Sequence, residues 1–159
     1  AWQASAGPAV VLGAGGAARA VVCALLDAGS PLVRLCNRSL ANAQVLAQEF
    51  GPQVQGCEWP TRSAVLADAN LLVNTTNLGM HGQEALDINL DALPVHALVS
   101  DIVYVPRITP LLAAAAARGN PCAEGMGMLL HQARAGFAAW FGRMPEMSAG
   151  LRKAVEATF

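Results

Sequence analysis

The stretch Val10–Val22, VVLGAGGAARAVV, places three glycines between an apolar run and a run of alanines. Glycine lets the backbone turn tightly and lets another group approach the main chain, whereas alanine favours helix. Ala9-Val10-Val11-Leu12 reads as a short buried strand, and Ala17 onward reads as a helix with Val21, Val22, Leu25 and Leu26 on its core-facing side. Gly13-x-Gly15-x-x-Ala18 therefore sits on a strand-to-helix turn. In that setting Gly13 makes the turn, Gly15 admits a pyrophosphate and Ala18 lets the helix pack close to the strand. The helix N-terminus then faces the anion.

Outward from this turn the chain alternates between strands and helices. Gly29 and Pro31 stop the first helix, and Leu32–Cys36 reads as a second strand. Ser39 is placed to cap a helix that ends at Gly51-Pro52. Val54–Cys57 gives a third strand, Thr61–Asp68 a brief helix, Leu71–Val73 a fourth strand ending at Asn74, and Ala97–Val103 a fifth. The segment between the fourth and fifth strands is too long and too polar for an ordinary connection, which predicts a functional loop. Pro110–Arg118 is an alanine-rich helix, Pro121–Glu124 a short sixth strand, and Met126–Phe141 and Met147–Thr158 are two helices joined at Gly142–Pro145. This order predicts one α/β domain over 1–159, a doubly wound Rossmann-type, mainly parallel sheet of about six strands with helices on both faces. Gly13–Ala18, Asn37, Asn74 and Ile102–Tyr104 all fall at or just past strand C-terminal ends, where such sheets bind ligands.

Composition narrows the function classes. A net charge of -1 with scattered Lys and Arg gives no basic stripe, so nucleic acid and anionic membrane surfaces are not expected partners. Neither a signal peptide nor a membrane span is expected, and the default location is the cytoplasm. Cys23, Cys36, Cys57 and Cys122 lie far apart in sequence and read as free, buried thiols of a reducing compartment. His81 and His96 lack ligand spacing with any cysteine or carboxylate, so no metal site is expected.

The second strand ends in Cys36-Asn37-Arg38-Ser39, without the carboxylate that would accept from a ribose 2′-hydroxyl. Arg38 can pair with a 2′-phosphate or stack beside adenine, and Asn37 and Ser39 can donate to phosphate oxygens. With the glycine turn about 20 residues upstream, this predicts NADP rather than NAD.

Five motifs in order then carry a resemblance: GAGGAARA (Gly13–Ala20), NRS (Asn37–Ser39), NTTNLGM (Asn74–Met80), DIVYVPRITPLL (Asp101–Leu112) and GMGMLLHQA (Gly125–Ala133). From about Val10 to Phe141 the chain resembles the C-terminal NADP-binding domain of the shikimate dehydrogenase family. The resemblance implies that Gly13, Ala14, Gly15, Gly16 and Ala17 wrap the pyrophosphate and that Asn37, Arg38 and Ser39 hold the 2′-phosphate. It implies that Asn74 and Thr75 line the nicotinamide half, that Ile102 lies near the nicotinamide ribose, and that Gly125 and Met128 abut the ring. Tyr104 and Gln132 would meet the substrate, shikimate or 3-dehydroshikimate. Family members often carry a further basic residue where Asn42 stands, and Thr76 and Asn77 are a mild departure in the third motif.

Taken alone, several of these residues have plainer readings. Met126 and Met128 suit core filling, Gln132 can cap a buried carbonyl, Tyr104 can be an ordinary strand-end aromatic, and His131 is structural or at the surface. In the family the proton acceptor is a lysine assisted by an aspartate, both on a separate N-terminal domain. The one lysine here, Lys153, lies outside every motif. The expectation is a cofactor-binding half, truncated before its first strand, that binds NADP and catalyses nothing alone. Its last helix would turn Leu151, Val155 and Phe159 toward the absent domain, or toward a second copy in a homodimer. The other readings are a quinate/shikimate dehydrogenase domain and a stand-alone dinucleotide-binding sensor.

Overall fold

A computed structural model describes residues 2–158. Six parallel strands, β1 (Ala9–Leu12), β2 (Val33–Asn37), β3 (Val54–Glu58), β4 (Leu71–Asn74), β5 (Leu98–Asp101) and β6 (Cys122–Ala123), lie in the order β3-β2-β1-β4-β5-β6. The helices are α1 (Gly16–Asp27), α2 (Leu40–Phe50), α3 (Pro110–Ala117), α4 (Gly125–Phe141) and α5 (Ala149–Glu156). The order runs outward in both directions from β1, so β1 and β4 diverge at a switch point.

Both faces of the sheet are covered, which is why the central strands read as unbroken apolar runs. Ala9 and Val11 point into a cluster completed by Ala18, Val22 and Leu25 of α1 and Ala43, Leu46 and Ala47 of α2. Val10 and Leu12, one residue out of phase, point into the opposite cluster with Leu111, Leu112 and Ala115 of α3.

That second cluster also takes Leu86, Leu90 and Leu93 from the long segment between β4 and β5. The segment is thus not a loop devoted to function throughout. Its latter half supplies core side chains where a crossover helix would otherwise lie, and only its first turn borders the cleft described below.

β5, the Thr61–Asp68 segment and the burial of the thiols differ from the sequence expectation. β5 stops at Asp101 rather than Val103, because the Asp101 carboxylate accepts from the Val103 N–H (3.0 Å) and the Thr109 hydroxyl (2.7 Å) and turns the chain out of the sheet. The expected helix at Thr61–Asp68 is instead a pair of 3-10 turns, Trp59–Thr61 and Ala64–Leu66, the first opened by Pro60. The Arg62 N–H donates to Trp59 O (3.2 Å) and the Leu66 N–H to Ser63 O (3.4 Å), three-residue spacings that close the tighter turn. The thiols are free, but only Cys36 is buried; Cys57 is half-buried, and Cys23 and Cys122 are exposed. Cys23 rides the outer side of α1 beside buried Val22, and Cys122 lies on the edge strand.

α5 begins at Ala149 because the Ser148 hydroxyl caps it, accepting from the Leu151 N–H at 3.1 Å. None of its described residues is buried; Leu151 is exposed and Val155 half-buried, while Phe159 lies outside the described residues. What holds α5 is charge. Glu124 accepts from Arg107 Nε (2.8 Å) and from Arg152 Nη2 (3.1 Å), and Arg152 Nε also donates to Glu156 (2.8 Å). Arg107, first by its hydrogen bond and then by its charge, holds the Glu124 carboxyl below its ordinary value.

A carboxyl depressed in the folded state stabilises above its unfolded value and loses that contribution as pH falls through its folded one. Glu124→Ala is therefore expected to abolish hydrogen-exchange protection in α5 while β1 and β4 keep theirs. Acidification through the depressed Glu124 value should do the same. Unchanged α5 protection in both experiments would contradict the ionic tether.

Candidate functional site

The site is built on the C-terminal ends of β2, β1, β4 and β5. β1 ends at Leu12, and Gly13 follows at φ 105°, in the region that favours glycine. A Cβ there would lie 2.8 Å from Thr75 Oγ1 and 3.2 Å from Thr76 Cγ2. Gly13 is thus required both by its own backbone and by the strand-end turn beside it. Thr75 is locked to β1, since its N–H (2.9 Å) and its hydroxyl (2.5 Å) both donate to Leu12 O. By contrast, nothing stands within 4 Å of a Cβ built on Gly15 or Gly16. These two leave an open approach to the first turn of α1, whose N–H groups have no intrahelical partner.

Two concave regions meet over this turn. One, about 320 Å³, is lined by Gly13, Ala14 and Gly15 together with Asn37, Arg38 and Trp59. The other, about 560 Å³, has Ile102, Val103, Tyr104, Val105, Met128 and His81 in its wall. Thr75, Thr76 and Asn77 border both, so they form one continuous trough across the switch point.

At the first end, Asn37 Nδ2 donates to Ser39 O at 3.0 Å, and the Ser39 hydroxyl accepts from the Asn42 N–H at 3.3 Å, capping α2 as the sequence predicts. Arg38 is exposed and makes no ion pair among the described residues, whereas Arg19, Arg34, Arg62, Arg107, Arg118 and Arg152 each have a carboxylate partner. Asn42 lines a separate hollow beside Arg19 and Glu49. Trp59, just past β3, closes this end of the trough, with the Arg62 guanidinium 4.9 Å from the centre of its ring. Sequence reasoning missed Trp59, although an aromatic directly after a strand that neighbours β2 was the available signal.

At the other end, Asn74 lies behind the trough wall. Its side chain is wholly buried; Nδ2 donates to Leu78 O (3.1 Å) and Asp101 Oδ1 (3.0 Å), and Oδ1 accepts from the Thr76 N–H (3.0 Å) and hydroxyl (2.7 Å). It shapes the turn that Thr75–Leu78 present. The His81 N–H donates to Val105 O at 2.9 Å and ties that turn to the segment after β5. Met80, His81 and Val105, which sequence reasoning left out, reach the trough through this cross-link of two loops, a pairing that no local motif signals.

The remaining expected residues fall in different places. Ile102, Tyr104 and Met128 lie on the wall. Gly16 and Ala17 lie in the first turn of α1, beyond the lining residues. Gly125 is buried beneath Ile102 and Val103, and Gln132 is exposed on α4, outside the trough lining. His131 is exposed as well. No group of three or more His, Cys, Asp or Glu that could hold a metal ion occurs among the described residues. No helix among them is long and apolar enough to cross a membrane.

Burial pushes the Asp101 carboxyl above its ordinary value, against the opposing pull of hydrogen bonds from Thr109, Val103 and Asn74. A folded-state value above the unfolded one stabilises fully below the ordinary aspartate range and is lost as pH rises through the raised value. The melting temperature of the natural chain relative to Asp101→Asn should therefore fall across that window. A pH-independent difference would contradict this role for Asp101.

A parallel sheet wound both ways from β1, with a glycine turn opening a helix at its switch point, defines the Rossmann-type α/β class. The family model described as Shikimate / quinate 5-dehydrogenase matches residues 3–105, and the chain belongs to that family. A shikimate dehydrogenase (NADP(+)) of Paramagnetospirillum magneticum is 57% identical over 151 residues, covering 95% of this chain and 55% of the relative. One from Dinoroseobacter shibae is 56% identical over 156 residues, covering 98% of this chain and 56% of its own length. The chain thus spans little more than half the length of these curated relatives, matching their C-terminal part.

Among solved structures, the Thermus thermophilus shikimate 5-dehydrogenase in complex with NADP(H) and shikimate superposes with a TM-score of 0.81 at 34% identity. It is matched over 95% of this chain and 55% of its own. Quinate dehydrogenase from Corynebacterium glutamicum in complex with NAD superposes with a TM-score of 0.86 at 30% identity, over 94% of this chain and 55% of that one.

Proposed function

We propose that this chain is the dinucleotide-binding half of an NADP-dependent shikimate 5-dehydrogenase, which interconverts 3-dehydroshikimate and shikimate in aromatic amino-acid biosynthesis. The observation that carries the reading is the trough itself: an open glycine turn at its centre, an arginine without an ion pair at one end and an apolar wall at the other. The names of the relatives support it.

The residues fit a dinucleotide. Gly13, Ala14, Gly15 and the first turn of α1, with Gly16 and Ala17, would hold the pyrophosphate on backbone N–H groups. Arg38 would pair with the 2′-phosphate, helped by Asn37 and Ser39, and Trp59 offers a flat apolar face to the adenine. Thr75, Ile102, Met128 and Gly125, the last by holding Ile102 and Val103 in place, would shape the nicotinamide end and keep water from it. Bound there, the nicotinamide supplies hydride exchange with a secondary alcohol.

Tyr104 and Gln132 would bind the substrate, Gln132 from beyond the present wall. The proton of the alcohol needs an acceptor within hydrogen-bond reach. Lys153 lies on α5, outside the trough lining, and we assign the acceptor to the half of the relatives' length that this chain does not span. The face of α5 bearing Leu151 and Val155 would pack on that half in preference to forming a homodimer. Four reduced thiols suit the cytoplasm.

An NAD-linked quinate dehydrogenase is the second reading, favoured by the Corynebacterium neighbour. The Asn37-Arg38 pair opposes it, since no carboxylate closes β2 to accept from a 2′-hydroxyl. A sensor without chemistry would have no use for the apolar cleft around Tyr104.

The test is to join the chain to the N-terminal half of a curated relative and follow NADP reduction with shikimate. The joined protein is expected to reduce NADP and the chain alone to give none. Activity with quinate and NAD in place of shikimate and NADP would reverse the assignment.

A further inference from the structure

Cys36 on β2 and Cys57 on β3 are register partners on one face of the sheet, and both pack against the cluster around Leu66. In-register neighbours on adjacent strands stand about 4.8 Å apart at Cα, inside the range of roughly 4.4–6.8 Å that a disulfide spans. β3 is an edge strand, held on one side only, so it can yield the small shift that bond formation asks. The two thiols are unequal. Cys36 is buried, whereas Cys57 is half-buried and reachable from the sheet edge. The neighbouring Cys36 thiol, with the nearby Arg34 charge, holds the Cys57 thiol down at about 7, and the same partnership with burial pushes Cys36 well up. An accessible sulfur with thiolate character beside a buried partner is the arrangement of an attacking and a resolving cysteine.

We propose that Cys36 and Cys57 form an oxidant-responsive dithiol whose substrate class is hydroperoxides. The Cys57 thiolate attacks one peroxide oxygen, the O–O bond breaks, and the departing oxygen takes a proton to leave as water or an alcohol. Cys57 is then a sulfenic acid. The Cys36 sulfur attacks it, the S–S bond forms as the S–O bond breaks, and the hydroxide leaves with the Cys36 proton as water. The peroxide gains two electrons and the thiol pair loses two. The resulting cross-link sits one residue before Asn37 and two before Trp59, so it tightens the sheet edge at the Arg38 end of the trough.

The test uses the natural chain with hydrogen peroxide, followed by quenching, unfolding, alkylation and tryptic mapping without reductant. Cleavage after Arg34, Arg38 and Arg62 separates the two thiols into peptides 35–38 and 39–62. The expected result is a linked pair two hydrogens lighter than the sum of its peptides, with Cys23 and Cys122, the exposed internal controls, still alkylated. In Cys36→Ala the Cys57 sulfenic acid is expected to persist and be captured by dimedone. Alkylation of Cys36 and Cys57 in the natural chain to the same extent as Cys23 would overturn the proposal, and that reading needs no variant to fold. None of these readouts depends on a bound dinucleotide.

Discussion

Gly125→Ala is expected to lower the melting temperature by roughly 6–12 °C, the equivalent of about 3 kcal/mol in a chain of this size. A Cβ built on Gly125 lies 2.5 Å from the carbonyl oxygens of both Ile102 and Val103, and 2.7 Å from the Ile102 carbonyl carbon. All three are backbone atoms, so no rotamer change relieves the overlap. Either α4 withdraws, exposing buried Met126 and Leu130, or the turn after Asp101 shifts and breaks its hydrogen bonds to the carboxylate. Ile102 and Val103 also line the larger part of the trough, so the same change should weaken ligand binding there.

Gly127 provides the control, two positions further along α4. A Cβ there meets nothing within 4 Å, and Gly127→Ala should stabilise by about 0.5–1 kcal/mol through helix propensity. Scanning calorimetry of the two variants separates close approach from mere loss of glycine. Equal melting temperatures would contradict the packing of α4 against the 102–103 turn.

Arg38→Ala is expected to weaken NADP binding by roughly 10- to 150-fold, the loss of about 1.5–3 kcal/mol carried by a charge-assisted hydrogen bond. NAD binding should hardly change, because the ribose 2′-hydroxyl offers the guanidinium no charge to pair. Asn42 carries no charge and lines a different hollow, which leaves Arg38 as the basic side chain lining this end of the trough. Trp59→Ala, by removing a face that adenine of either dinucleotide would use, should weaken NADP and NAD alike. Arg38→Lys should restore only part of the preference, since a point charge cannot reproduce the fork.

The sheet was legible because its central strands are apolar on both faces and its turns are punctuated by glycine and proline. Gly13, Gly29 and Gly51 all take positive φ, and β1, β2 and β4 stand within a residue of where the apolar runs put them. The glycine turn and the Asn37-Arg38-Ser39 segment were legible because each is local, a few residues at the end of one strand. Met80, His81 and Val105 were not, because they reach the trough where two distant segments meet, as when the His81 N–H meets Val105 O. Asn74 was read as a wall residue and lies behind the wall; a motif fixes which residue stands at a strand end, not which way its hydrogen bonds turn it. The leucines at 86, 90 and 93 carry helix-like spacing without forming a helix, so their place in the core emerges only with the fold.

The central claim is that the trough takes a dinucleotide bearing a 2′-phosphate, and the most direct measurement is a calorimetric titration of this chain with NADP and, in parallel, with NAD. A preference of about tenfold or more for NADP is expected, in line with one charge-assisted contact. Equal affinities, or no binding of either, would contradict it.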